Sequence, residues 1–462
     1  MQFVSTRGQA PALSFSDAVL TGLARDGGLY VPETWPQIDA ATIEGFATAP
    51  YAAIAKSVIG PFVGDELPPG ALDGMIDAAY ASFRHPSVTP LVEIEPGHFV
   101  LELFHGPTLA FKDVAMQLLA RLVDHILSAR GERATIVGAT SGDTGSAAIE
   151  AFRGRDNIDI FILHPEGRTS EVQRRQMTTV LDKNVHNIAV RGTFDDCQTI
   201  VKALFNNHRF RDEVKLSGVN SINWGRIVAQ IVYYFKAAAQ LGAPTRKTTF
   251  TVPTGNFGDI FAGYGAYRMG LPMERLVIAT NSNDILARTV DTGRYEVGSV
   301  TPTASPSMDI QVSSNFERLL FEVVKRDAEA VRAMMASLTQ SGGFDLPEAA
   351  LRRIRQGFAA ARADEAETAE AIRSTYQRSS YLLDPHTAVG VAVARRFRGP
   401  EPMITLATAH PAKFPAAVEA ATGIAPQLPD WLADLYGRAE RYDVLDNDPV
   451  RVETFIRERS RA

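Results

Sequence analysis

The sequence predicts an α/β fold, and three observations carry that prediction. Short apolar runs rich in Val, Ile and Thr, at 134–139, 158–163, 187–190, 248–252, 276–280 and 403–407, alternate with stretches of helical spacing. Two of these runs end in glycine loops that pass straight into helices, at Thr140-Ser141-Gly142-Asp143-Thr144-Gly145-Ser146 and at Pro253-Thr254-Gly255-Asn256-Phe257-Gly258-Asp259. The chain has 462 residues, of which 45 % are hydrophobic, which suits two or three domains sharing one site.

Taken in order, residues 1–95 read as a mainly helical lead-in. Helices are expected over 15–23, 50–59 and 71–83. The second has a proline in its first turn, and Pro86 and Pro90 close the region. Asp26-Gly27-Gly28-Leu29-Tyr30-Val31-Pro32 reads as a turn entering an extended piece, with Arg7 satisfied by a carboxylate. Leu101 and Leu103 alternate with Glu102 like a strand, which Gly106-Pro107 breaks. From Asp113 onward, Val114, Leu118, Leu122 and Ile126, flanked by Ala115, Leu119, Val123 and Leu127, form one wide apolar helix face that stops at Gly131. Three strand–helix units follow across 134–205 and make a compact wound subdomain. Further helices are expected from Arg226 through Tyr234 and over 260–267, 316–324, 328–338 and 359–376. The Asp364, Glu365, Glu367 and Glu370 run in the last is read as a solvated face. The Ser/Thr/Pro-rich segment 299–308 reads as an ordered loop near the site, Asp384-Pro385-His386 as a helix start, and the chain after Pro426 as a surface extension.

Composition excludes several classes. Lys and Arg number 47 against 53 Asp and Glu, a net charge of −6 with no single-sign block, which argues against a nucleic-acid binder. Cys197 is the one cysteine, so no internal disulfide or cysteine metal cluster is expected, and it reads as a core residue. No apolar run approaches transmembrane length and Met1–Gly8 carries no apolar signal core, so a cytoplasmic protein is expected, with no membrane partner.

Chemistry concentrates around Lys112. It stands at a helix N-terminus, where the dipole disfavours a cation. Either Asp113 next door balances it, or the site uses a neutral amine, as Schiff-base lysines do. Both glycine loops direct main-chain N–H groups and a helix N-terminus at a common point, the arrangement that binds anions. In the first loop, Thr140, Ser141, Thr144 and Ser146 add hydroxyls, while Asp143 would repel an anion and reads better as a cap or an acceptor of backbone N–H groups. Asn220-Ser221-Ile222-Asn223-Trp224-Gly225-Arg226 suits a phosphate or a set of N-caps.

The run His105-Gly106-Pro107-Thr108-Leu109-Ala110-Phe111-Lys112-Asp113 resembles the lysine motif of the threonine synthases, and Gly-Asn-Phe-Gly-Asp at 255–259 resembles their cofactor-phosphate cradle. The lead-in is similar to that of the longer, fungal- and enterobacterial-like branch. The resemblance implies the tryptophan-synthase-β-like fold type II: two open, twisted αβα domains, one made of 96–130 with 225–462 and the other of 131–224, with pyridoxal 5′-phosphate in the cleft between them. It implies Lys112 as the catalytic, cofactor-bearing lysine, Gly255, Asn256, Phe257 and Gly258 at the cofactor phosphate, and Thr408 facing the pyridine nitrogen. It implies substrate contacts from Ser141, Asp143 and Thr144, with Asn220, Ser221, Asn223 and Arg226 as further candidates, Arg226 for the substrate phosphate. Lys413 is a second candidate for that phosphate or a solvated lysine. No metal is implied. The expected reaction turns O-phospho-L-homoserine and water into L-threonine and phosphate, on a monomer or homodimer. Another lyase of the same fold, either a serine/threonine dehydratase or a phospho-lyase of amino alcohols, and a homologue that binds without catalysis are the competing readings.

Overall fold

Two parallel sheets organise the chain. The computed structural model describes residues 1–140, 142–218 and 220–462. The larger sheet has six strands in the order Phe358–Arg362, Met273–Thr280, Thr248–Pro253, Met403–Ala407, His98–Glu102 and Leu91–Glu95, all parallel except the last. The smaller has five parallel strands in the order Asp443–Asp446, Val185–Arg191, Ile158–Pro165, Ala134–Ala139 and Leu216–Ser217. Strands buried on both faces need continuous apolar runs, and Thr248–Pro253, Ile158–Pro165 and Met403–Ala407 are buried along their whole length.

The helices Lys112–Arg130 and Trp224–Gln240 pack together and join the lead-in to the larger sheet. Sixteen of the seventeen residues of Trp224–Gln240 are buried, so this helix is a core pillar and extends past Tyr234. The lead-in is mainly helical, through Phe15–Thr21, Ala40–Gly45, Tyr51–Val63 and Ala71–Tyr80, with a small hairpin of Phe3–Ser5 and Tyr30–Pro32. Arg7 finds its carboxylate at 2.9 Å in Glu317.

Three expectations about elements need correction. The charged stretch 359–376 is not one helix. Phe358–Arg362 is an edge strand beside Met273–Thr280, and the helix begins at Glu365, behind a capping box in which Asp364 and Glu367 satisfy each other's backbone N–H groups. Alanine has high helix propensity, but Ala359, Ala360 and Ala361 are small enough to lie under the helices covering the sheet, and packing outweighs propensity there. The stretch after Pro426 is not only a surface extension. Asp443–Asp446 is the outer strand of the smaller sheet, and the helix Pro449–Arg459 packs Val452, Phe455 and Ile456 into that sheet's core. At the other boundary, Leu91–Glu95 pairs with His98–Glu102 and so belongs to the larger sheet, not to the lead-in. Cys197 is buried in the smaller core, where burial pushes its thiol up to about 12.

Candidate active site

Lys112 is the first residue of its helix and is buried, with Nζ 4.7 Å from the centre of the Phe111 ring. Its position follows from the turn before it. Asp113 accepts hydrogen bonds from Thr108 N (2.8 Å) and Thr108 Oγ1 (2.7 Å), folding the loop back on the helix. A Cβ on Gly106 would sit 2.4 Å from the Asp113 Cβ, so only glycine permits that clasp. Burial pushes the Asp113 carboxyl up to about 6, against the pull of its Thr108 bonds. Asp113 thus fastens the loop and does not balance Lys112. The loop is also tied to the end of Met403–Ala407: Phe111 N donates to Thr408 O at 2.8 Å, and His410 N to Leu109 O at 3.0 Å. Lys112 and Thr408 are therefore held by one stitched pair of segments.

The counter-charge for Lys112 comes from the first glycine loop. Asp143, at the start of the helix Asp143–Phe152, places Oδ2 3.7 Å from Lys112 Nζ and Oδ1 2.8 Å from Lys413 Nζ. Gln173 Nε2 donates to the same Oδ1 at 2.9 Å. Asp143 neither caps its helix nor faces outward as an anion receptor, which corrects the expectation for it: the two lysines hold its carboxyl far below the usual range despite burial. Burial, foremost, lowers the Lys112 amine, with Arg226 and Lys413 adding to that and Asp143 opposing it. Lys413 is fully buried, with its ammonium taken up by Asp143 and the Thr108 carbonyl, so it is not a solvated lysine. In the loop itself, Thr140 Oγ1 accepts from Gly142 N and Gly145 N, both at 2.9 Å, and Ser146 Oγ donates to the Asp143 carbonyl at 3.1 Å. Two of the four hydroxyls are thereby committed to loop shape, and Thr144 remains half-exposed. Ser141 lies outside the described residues.

The second glycine loop stands at the start of the helix Gly258–Arg268, whose first N–H groups have no carbonyl of their own helix to meet. Phe257 takes the left-handed conformation (φ 64°), turning the chain sharply into that helix while its ring fills the core against Phe316. A Cβ on Gly255 would lie 2.8 Å from the Ser307 carbonyl oxygen, so the segment 299–308 closes directly over the loop. That segment is an ordered structure: Asn281 Nδ2 donates to Asp309 at 2.8 Å and to Ser305 Oγ at 2.9 Å, and Ser307 N donates to His386 Nε2 at 3.3 Å. His386 in turn meets Asp384 through Nδ1 at 2.9 Å, which makes it a loop anchor. Asn315, not foreseen from sequence, donates through Nδ2 to the Asn256 carbonyl at 2.9 Å, and the buried Arg318 holds Asn315, the Ile222 carbonyl and the Tyr30 carbonyl together. Lys112 is close enough that its charge acts on Asp259, the residue after Gly258.

The segment before Trp224 divides. Asn223 is buried: its side chain takes Gly225 N at 2.9 Å and donates to Val19 O at 2.8 Å, so it caps the helix and holds the lead-in, and the expectation that it touches substrate is corrected. The Ser221 carbonyl meets Asn315 Nδ2 at 3.4 Å beside the cradle, and Asn220 is exposed. Arg226 is buried in the first turn, where its charge reaches both Lys112 and Asp259, and burial lowers it to about 10.

A glycine-rich helix start next to Asp259, and a buried lysine whose amine burial depresses and whose charge reaches Asp259, make a set that fits a phosphorylated carbonyl cofactor. Among the described residues, no group of acidic, His or Cys side chains could hold a metal ion. Comparison with known proteins agrees. Residues 2–80 match the family model described as threonine synthase N terminus, residues 83–351 that of pyridoxal-phosphate dependent enzymes, and residues 387–456 that of the threonine synthase C-terminal region. The chain is 53 % identical to the threonine synthase of Pseudomonas aeruginosa, over 99 % of this chain and 98 % of that one. The crystal structure of pyridoxal-phosphate-bound threonine synthase from Brucella melitensis is 60 % identical, covers all of both chains and superposes with a TM-score of 0.98. The yeast threonine synthase structure is 40 % identical, covers 99 % of this chain and 98 % of its own, and gives 0.94. The chain belongs to the threonine synthase family of pyridoxal-phosphate-dependent enzymes.

Proposed function

We propose that the cleft around Lys112 converts O-phospho-L-homoserine and water into L-threonine and phosphate, with pyridoxal 5′-phosphate held by Lys112, by Gly255, Asn256, Phe257 and Gly258, and by the Thr408 hydroxyl. The observation that carries this reading is the placement of a buried Lys112 amine, depressed by that burial, beside the helix that starts at Asp143 and within reach of the charge on Asp259 at the start of the helix Gly258–Arg268. When bound, the cofactor supplies an electron sink for carbanion chemistry. Lys112 takes the proton from the substrate Cα and then one from Cβ, so it must be a neutral amine near neutral pH, as burial favours. Phosphate leaves from Cγ, water adds at Cβ, and Lys112 returns the protons.

The substrate carboxylate is assigned to Thr144, Ser141 and the amides of the first loop, and Asp143 to charge balance with the lysines. Arg226 is assigned to the substrate phosphate, whose expulsion calls for a fixed cation in a dry site. Asn220 and Ser221 border the same mouth. The Thr408 hydroxyl does not force full protonation of the pyridine nitrogen as a carboxylate would, which favours elimination over transamination. We further propose a cytoplasmic enzyme, monomeric or homodimeric, with no nucleic-acid partner; among the described residues no helix is long and apolar enough to cross a membrane.

The test is an absorbance spectrum before and after borohydride, with peptide mapping, and then assays of phosphate release from O-phosphohomoserine and of deamination of threonine. A visible band fixed by reduction onto Lys112, with phosphate release dominant, is expected. Label on another lysine, or threonine deamination without phosphate release, overturns the reading.

A further inference from the structure

Lys413 does more than fill space. It is fully buried on a short 3-10 turn, Pro411–Lys413, just beyond Thr408, and its ammonium makes two contacts that tie three segments. It donates to the Thr108 carbonyl at 2.7 Å, in the loop that delivers Lys112, and it pairs with Asp143 Oδ1 at 2.8 Å, in the first glycine loop. Lys112 faces the other oxygen of that carboxylate from 3.7 Å, beyond close hydrogen-bond contact. Gln173 Nε2 supports the Lys413 side of Asp143 at 2.9 Å. The two lysines thus share one carboxylate unequally.

We propose that Lys413 is a positioning residue for Lys112: by holding one oxygen of Asp143, it keeps that carboxylate from closing into a tight ion pair with Lys112 and leaves the Lys112 amine free to act as a base. The proposal rests on the reading of Lys112 as the working amine. A buried carboxylate demands a counter-charge. With Lys413 present, most of that demand is met away from Lys112. With Lys413 neutral, Lys112 is left as the ion-pair partner of that carboxylate, at 3.7 Å, and must meet the demand as an ammonium. The other charges in reach are Arg226 from the helix Trp224–Gln240 and Asp259 from the cradle helix, both acting with Lys112, and His386 from the helix Pro385–Ala394, acting on Asp143; Asp113 is bound up with Thr108. Among the described residues, the Asp143 carboxylate forms its ion pairs with Lys413 and Lys112.

The experiment is trace acetylation of the full-length chain, freed of cofactor, across a pH series, with the Lys112 peptide quantified by mass spectrometry. Lys413→Met is expected to move the half-reaction pH of Lys112 up by about one unit or more, and Lys413→Arg to keep it within about half a unit of the wild type. Asp143→Asn is expected to move it down, and in that background Lys413→Met should shift it by less than half as much. An unchanged profile in Lys413→Met overturns the proposal. So does an equal shift in both backgrounds, which would mean direct repulsion between the lysines and no action through Asp143. Should Lys413→Met not fold, Asp143→Asn decides alone: no downward shift sinks the idea. This labelling reads the Lys112 amine whether or not borohydride fixes a cofactor there, so its failure is distinct from failure of the reaction assignment.

Discussion

At the scale of single residues, the site depends on what cannot be added. A methyl at Gly255 would press on a main-chain oxygen of Ser307, which cannot swing aside as a side chain can. Gly255→Ala should therefore weaken cofactor binding about tenfold or more while leaving secondary structure intact, as read by titrating the cofactor-free chain with pyridoxal phosphate; unchanged affinity would remove Gly255 from the cradle. Asp259 gives a pH signature. It is buried with the Tyr233 and Tyr234 hydroxyls donating to it, and burial raises it from 3.8 to about 6. A carboxyl raised on folding favours the native state when protonated, and that contribution fades as pH climbs through the folded value. The Tm of the wild type relative to Asp259→Asn should therefore fall between about pH 4 and about pH 6 and stay level above. A gap independent of pH would show that the carboxyl does not titrate upward. Part of this layer is legible in the sequence: Lys112 opens a buried helix, and helices start at Asp143 and Gly258, directly after the two glycine-rich stretches. What sequence hid was the pairing of charges. Adjacency in sequence points to Asp113 as a balance for Lys112, yet Asp113 serves the turn, and the carboxylate that faces Lys112 is that of Asp143, which the sequence offers as a substrate contact, a cap or an acceptor of backbone N–H groups. No local signal announces a contact between residues so far apart in sequence.

At the scale of elements, periodicity served where the chain alternates between buried strands and helices, and failed where composition and packing disagree. Phe358–Arg362 reads as the start of a helix because alanines favour one, but the open edge of Met273–Thr280 takes it as a strand. The terminal helix Pro449–Arg459 looked peripheral because most of its residues are polar. Three of its apolar residues, Val452, Phe455 and Ile456, fall on the side that covers the smaller sheet, while Val450 stays exposed. Ile456→Ala should cost about 2–5 kcal/mol. Hydrogen exchange should locate the loss in Val185–Arg191 and its neighbours and spare Thr248–Pro253. Uniform acceleration across both sheets would mean that the two unfold as one unit.

At the scale of the whole molecule, the resemblance to a known family conveyed the two-sheet plan and the cleft, and what escaped was the route of the chain. It leaves the larger sheet after Arg130, returns at Trp224, and departs again after the helix Pro415–Thr422 to end beside Val185–Arg191. Arg174 and Thr178 meet Glu440 on the way, fastening the last crossing. The strand Asp443–Asp446 is thus the final piece of a sheet whose other members were made more than two hundred residues earlier. On the ribosome this sets an order of events. While the last stretch is still inside the exit tunnel, Val185–Arg191 is an open sheet edge, able to pair with whatever strand it meets. Nascent chains arrested before Asp443 should be cut by protease around 185–191, whereas released chains should resist; equal resistance in both would mean that the sheet is sound without its last strand. Completion of the smaller sheet, and with it of the cleft, waits for a strand made after every strand of the larger sheet, so chaperone protection during translation would matter most for the four smaller-sheet strands made first.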